Sequence, residues 1–176
     1  TGYGEIQALK SVRIAPEVAG KVTRVHSQLE SGRYFKKDEI LFEIDKRDYL
    51  TAYKDARATL SHMTSTIERM RKEQEILNLR MTNQRRNRDL AEEEFKRLEK
   101  LYRESKIGTQ SQIDAAERSY NAAVDQFAQM TQAVETFPLQ IREVQYQLES
   151  AKAGVFRAAT NLRRCSVRAP FSGRIQ

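Results

Sequence analysis

Two stretches of this chain repeat a seven-residue pattern in two interleaved sets for eight heptads each, mostly apolar in the first stretch and wholly apolar or aromatic in the second. In the first stretch one set is Tyr53, Leu60, Ile67, Gln74, Met81, Arg88, Phe95 and Tyr102. The companion set is Ala56, Met63, Met70, Leu77, Gln84, Ala91, Leu98 and Ser105. The second stretch is cleaner: Ile113, Tyr120, Phe127, Val134, Ile141, Leu148, Val155 and Leu162 fill one set, and Ala116, Ala123, Met130, Phe137, Val144, Ala151, Ala158 and Cys165 the other. Apolar residues repeating every 3.5 residues without a slip specify helices that pair along a seam. The short segment Lys106-Ile107-Gly108-Thr109-Gln110 between the stretches leaves no room for a parallel crossover, so an antiparallel helical hairpin is expected. At a rise of ~1.5 Å per residue, each arm would be roughly 80–90 Å long. A two-helix hairpin of that length works by reach.

Composition agrees. With 39% apolar and 31% charged residues, 7 Gly, 3 Pro and no Trp, the chain suits a surface-rich fold better than a compact all-β domain or a loop-rich enzyme. No apolar run approaches the ~18 residues of a spanning helix, so the chain as given is expected to be soluble. The net charge of +7 does not point to nucleic acid, because acids interleave with bases, as in Glu92-Glu93-Glu94-Phe95-Lys96-Arg97. That pattern reads as a solvated helix face with i,i+4 pairs. Arg85-Arg86-Asn87-Arg88 is the one basic cluster.

The lone Cys165 cannot form a disulfide within the chain and is read as a small core residue. His26 and His62 have no recognisable catalytic or metal-ligating company, and the heptad placement of Met63, Met70, Met81 and Met130 assigns them to packing. No enzyme activity, cofactor or metal is expected. Two features interrupt the helices. Gln74, Gln84 and Arg88 put polar groups in the first seam, as a hydrated thin stretch or as a register lock or contact with another chain. Pro138 should bend the second arm near 134–138 without ending it, since the register continues through it.

Residues 3–47 read as short strands: Ser11–Ile14 and Gly20–Val25 alternate, and Glu39–Ile44 is rich in β-formers. Val12-Arg13-Ile14-Ala15-Pro16-Glu17-Val18-Ala19-Gly20-Lys21-Val22 recurs loosely as Val167-Arg168-Ala169-Pro170-Phe171-Ser172-Gly173-Arg174-Ile175. Each copy reads as a strand–turn–strand corner. An antiparallel hairpin returns its ends to one place, where both corners can build one small domain.

On these paired Ala-Pro…Gly corners, with Ser31-Gly32-Arg33 through Asp45 and then Arg47-Asp48-Tyr49, the chain resembles the HlyD-type periplasmic adaptors, or membrane fusion proteins, of the branch serving RND efflux pumps. The resemblance implies a mainly α fold with a small β part. A long antiparallel two-helix coiled-coil hairpin would be inserted in a split, incomplete lipoyl-like (biotinyl-carrier-like) β-domain. Residues 1–47 would form the first half with its entering strand, 48–165 the hairpin with its tip at 105–111, and 166–176 the start of the second half. Family members usually carry a Gly where this chain has Asp38 or Lys37, so that turn is expected to be built differently. The barrel and membrane-proximal domains of the family would follow Gln176, so a fragment is expected.

The resemblance further implies a periplasmic, inner-membrane-associated adaptor joining a transporter to a TolC-type outer-membrane channel. The transporter would be of the RND class, with ABC or MFS as alternatives. Side-by-side association, a hexamer in the full protein, is implied as well. Contact with the channel would come from the tip. The family's tip pattern is an Arg, a Leu four residues on and a Ser seven further on. Arg97 and Leu101 match it, Gly108 replaces the Ser, and Thr109 or Ser111 is the substitute hydroxyl. Leu101 and Ile107 would be the apolar anchors. Two rival readings are a structural coiled-coil spacer, and an acyl-carrier domain modified on Lys46 of Glu43-Ile44-Asp45-Lys46.

Overall fold

The computed structural model describes Tyr3 and residues 11–176. The chain is mainly α, a long two-helix hairpin inserted in a small β-domain split between the two ends of the sequence. In order, it forms β1 (Val22–Val25), β2 (Tyr34–Phe35), β3 (Ile40–Ile44), α1 (Arg47–Ser105), α2 (Gln110–Arg164), β4 (Ser166–Arg168) and β5 (Gly173–Arg174). It divides into two compact units, Thr1–Ala58 with Lys152–Gln176, and Thr59–Ala151. No described helix is long and apolar enough to cross a membrane.

In the first unit, β1, β3 and β4 make an antiparallel sheet in that order, and β2 pairs with β5. Both sheets therefore contain strands from opposite sides of the hairpin in sequence. Phe42 lies opposite Val167 and Glu43 opposite Ser166; Phe35 lies opposite Gly173. Backbone bonds extend the zipper: Ala169 N–H donates to Glu39 O (2.9 Å), Asp38 N–H to Ala169 O (2.8 Å), and Gly32 N–H to Ile175 O (2.7 Å). Phe35, Leu41 and Ala169 form the buried centre, with Leu29, Phe42 and Ile175 packed on it. Cys165 is fully buried, as a small core residue should be, and burial raises its thiol pKa. Tyr49 on α1 donates to Ala19 O (2.7 Å), and Arg164 at the end of α2 pairs with Glu17 (2.6 Å), so the first Ala-Pro corner is tied to both helices.

One strand expectation needs correction. Ser11–Ile14 alternates, yet it forms no strand, and those residues are exposed. Alternation supplies a propensity, but a strand also needs a partner ladder, and among the described residues none lies beside it. The first corner thus lacks its leading strand, whereas the second is strand–turn–strand from β4 to β5. The remainder of the proposed entering segment, apart from Tyr3, lies outside the described residues. At the Lys37-Asp38 turn, where the family usually has a Gly, Asp38 itself adopts φ of 65°, a left-handed conformation that Gly adopts readily. Asp tolerates that region better than most residues.

In the second unit the helices run antiparallel along the heptad seam. Met70, Phe137 and Ile141 form its buried cluster, with Leu77 and Val144 packed on it. Phe95 stacks on Tyr120 with ring centroids 6.2 Å apart. Along the whole of α2 and into Cys165, all sixteen heptad positions are buried or half-buried; in α1 only Ser105 is exposed. The polar seam residues divide. The Arg88 guanidinium lies over the Phe127 ring, 4.7 Å from its centroid, and bonds Asp89. Gln84 leaves its Oε1 buried without a hydrogen-bond partner. Pro138 sits exposed in an unbroken α2.

Candidate partner interface at the hairpin turn

The turn from α1 to α2 is built by two left-handed residues and a helix cap. Lys106 (φ 53°) ends α1, and Ile107 N–H reaches back to Leu101 O at 3.3 Å. Gly108 follows at φ 100°, where a Cβ would stand 3.0 Å from Gln112 Oε1. Thr109 then opens α2 with a reciprocal cap. Gln112 N–H donates to Thr109 Oγ1 (3.3 Å), and Thr109 N–H donates to Gln112 Oε1 (2.9 Å). A Thr followed three residues later by a Gln, before an apolar run, is the sequence signature of that cap. That signature is present in Thr109-Gln110-Ser111-Gln112. Gln110 adds a bond to Asp114 Oδ1 (2.8 Å) one turn on.

This scaffold displays the sequence-nominated residues differently. Arg97 and Leu101 are four apart and share one face of α1. The Arg97 side chain is 67% exposed and pairs with Glu94 at 2.5 Å. Leu101 is partly exposed, and Ile107 is 62% exposed in the turn. Thr109 and Ser111 do not play equivalent roles: the Thr109 oxygen accepts within the cap, while Ser111 stands exposed in the first turn of α2. Lys96 bonds Glu92 at 2.5 Å and Arg103 pairs with Glu99 at 2.7 Å, the i,i+4 pairs expected of a solvated face. The Glu92 carboxylate raises the Lys96 pKa through that hydrogen bond.

Elsewhere, the carrier-type lysine has no carrier-type setting. Lys46 lies between β3 and α1 and bonds Glu43 Oε1 at 2.6 Å, which lowers the Glu43 pKa; it is not the tip of a β-turn. Next to it, hydrogen bonds from the Arg47 side chain and backbone hold the Asp45 carboxyl down at about 2.

No protein-family model matches the chain, and no curated protein matches it. Among solved structures, it is similar to the periplasmic adaptor protein EmrA, at 13% identity and a TM-score of 0.42, over 88% of this chain and 62% of that one. It is similar to MacA from Actinobacillus actinomycetemcomitans at 21% identity and a TM-score of 0.49, over 94% of this chain and 42% of that one. A MacA–MexA chimera containing the Pseudomonas aeruginosa MexA α-hairpin domain matches at 21% identity and a TM-score of 0.44, over 94% and 38%. The chain spans less than two thirds of the length of each.

Proposed function

We propose that this chain is the hairpin-bearing part of a periplasmic adaptor in a tripartite export machine. In that reading the complete protein is associated with the inner membrane and joins a transporter to a TolC-type outer-membrane channel. The transporter is of the RND class, with ABC and MFS as the alternatives. Copies stand side by side as a hexamer, and the hairpin turn meets the channel. No catalysis is required of the chain, and no cofactor or nucleic acid enters the reading.

One observation carries the proposal. Strands from both ends of the chain zip into one small domain, β3 with β4 and β2 with β5, around a two-helix hairpin. The turn of that hairpin displays Arg97, Leu101 and Ile107 to solvent. Leu101 and Ile107 offer apolar anchors, and the Arg97 fork can engage carbonyls or carboxylates of a partner helix. Gly108, Thr109 and Ser111 complete that surface. A bare spacer would need the coiled coil but not the split sheet, so the spacer reading explains less.

The test is an efflux or secretion assay on the complete protein in its host. Arg97→Asp and Leu101→Asp should each abolish export while circular dichroism shows unchanged helicity. Wild-type export by both variants would remove the tip interface from the proposal.

A further inference from the structure

Both helices of the hairpin carry apolar side chains on the faces turned away from their shared seam. On α1 these include Ile76 and Leu79, 51% and 63% exposed; on α2 they include Leu139 and Tyr146, 58% and 69% exposed. The pairs Phe95–Tyr120 and Arg88–Phe127 fix which residues of the antiparallel helices stand at one height. Counted from those pairs, Ile76 is level with Leu139, and Lys72 with Glu143. The two outward patches therefore occupy the same stretch of the hairpin, on its opposite flanks. Lys72 and Glu143 are exposed and make no ion pair among the described residues, whereas Arg69 close by is paired with Glu73.

We propose that the outward face of α1 around Ile76 and Leu79 binds the outward face of α2 around Leu139 in a neighbouring copy that points the same way. This contact rests on the side-by-side arrangement of the proposed function and names its two surfaces. A ring closes by rotation with no rise, so adjacent parallel copies stand level. Level copies bring Ile76 and Leu79 of one against Leu139 of the next, and Lys72 against Glu143. Tyr146 then lies within a turn of Lys72 and covers its aliphatic stem. Each contact joins unlike faces, so every copy keeps one face free for its next neighbour until the ring closes. Charge rejects the contacts between like faces of level copies: α1 against α1 sets Lys72 against Lys72, and α2 against α2 sets Glu143 against Glu143. Nearer the turn the match stops. Leu90 is level with Asp125 and Arg97 with Arg118, so like charges keep neighbouring copies apart there. Arg97 and Leu101 stay clear for the channel.

The experiment uses the complete protein in its host, with Ile76→Cys on one tagged copy and Leu139→Cys on another, and the buried Cys165 left in place. The two variants are oxidised alone and when made together, and peptide masses identify the joined residues. A disulfide-linked heterodimer from the pair, with little homodimer from either variant alone, is the expected result. One chain bearing both substitutions should give a ladder that runs beyond the dimer. Homodimers in place of the heterodimer, a ladder that stops at the dimer, or no cross-link would overturn the proposal. Lys72→Glu and Glu143→Lys should each lower the cross-link yield about five-fold, since each turns an attraction into a repulsion. Their combination should restore the yield, and failure to restore it would also count against the pairing. Export by the Arg97→Asp and Leu101→Asp variants separates this contact from the reading beneath it. Lost export without the cross-link removes this interface alone, whereas the cross-link with wild-type export removes the tip contact and keeps the interface.

Discussion

A methyl group at Gly20 would stand 2.6 Å from Ile44 Cγ2, and the backbone there holds φ of 151°. Ile44 is among the most deeply buried side chains of the β unit, so it has little room to retreat. Gly20→Ala should therefore destabilise that unit by about 1–3 kcal/mol. The measurement is amide exchange at Ile44, whose N–H donates to Cys165 O at 2.8 Å, with protection falling in the variant while the α1–α2 seam between 59 and 151 stays protected. Unchanged protection would mean that the close approach is relieved at no cost. At this scale the sequence was readable where residue type and conformation agree, as at Gly20 and Gly108. It was not readable at Asp38 and Lys106, which take left-handed conformations that their side chains do not announce. Arg88 was equally opaque: a heptad count marks it as misplaced, and only the ring of Phe127 beneath it explains why it is tolerated.

Helix α2 continues through Pro138 although that residue has no N–H for the carbonyl of Val134 and its ring crowds the preceding turn. One side of the helix nearby is held by Phe137 and Ile141 against Met70, which is how tertiary packing overrides local propensity. Pro138 itself is exposed, so truncating it leaves no cavity. Pro138→Ala should stabilise the helical unit by about 1–3 kcal/mol, read as a higher denaturant midpoint at 222 nm with an unchanged slope. A lower midpoint would show that the packing depends on the proline. Both helices were legible because a sixteen-position pattern averages over its exceptions, even Gln74, Gln84 and Arg88. The strands were legible only in part. Glu39–Ile44 is anchored by neighbours on both sides, whereas Ser11–Ile14 alternates but has no ladder to join among the described residues.

The β-domain is a joint product of sequence segments that lie on either side of the hairpin, and that could be anticipated from the repeated Ala-Pro…Gly corner. Which strands would pair could not, because pairing across so long an insertion leaves no local trace in composition or spacing. Deleting residues 166–176 removes β4, β5 and the buried Val167 and Ala169 together. Amide protection in β1 and β3 should then disappear while most of the helical circular dichroism remains; retained β3 protection would show that the first half folds unaided. The same topology sets an order of events at the ribosome. Ile40–Ile44 is made early but waits about 120 residues for Ser166–Arg168, some 6–24 s at ordinary elongation rates of ~5–20 residues per second. For that interval a half-built sheet has an open edge and an apolar side without its lid. Until the second half arrives, the open edge of β3 is a template on which another chain could pair.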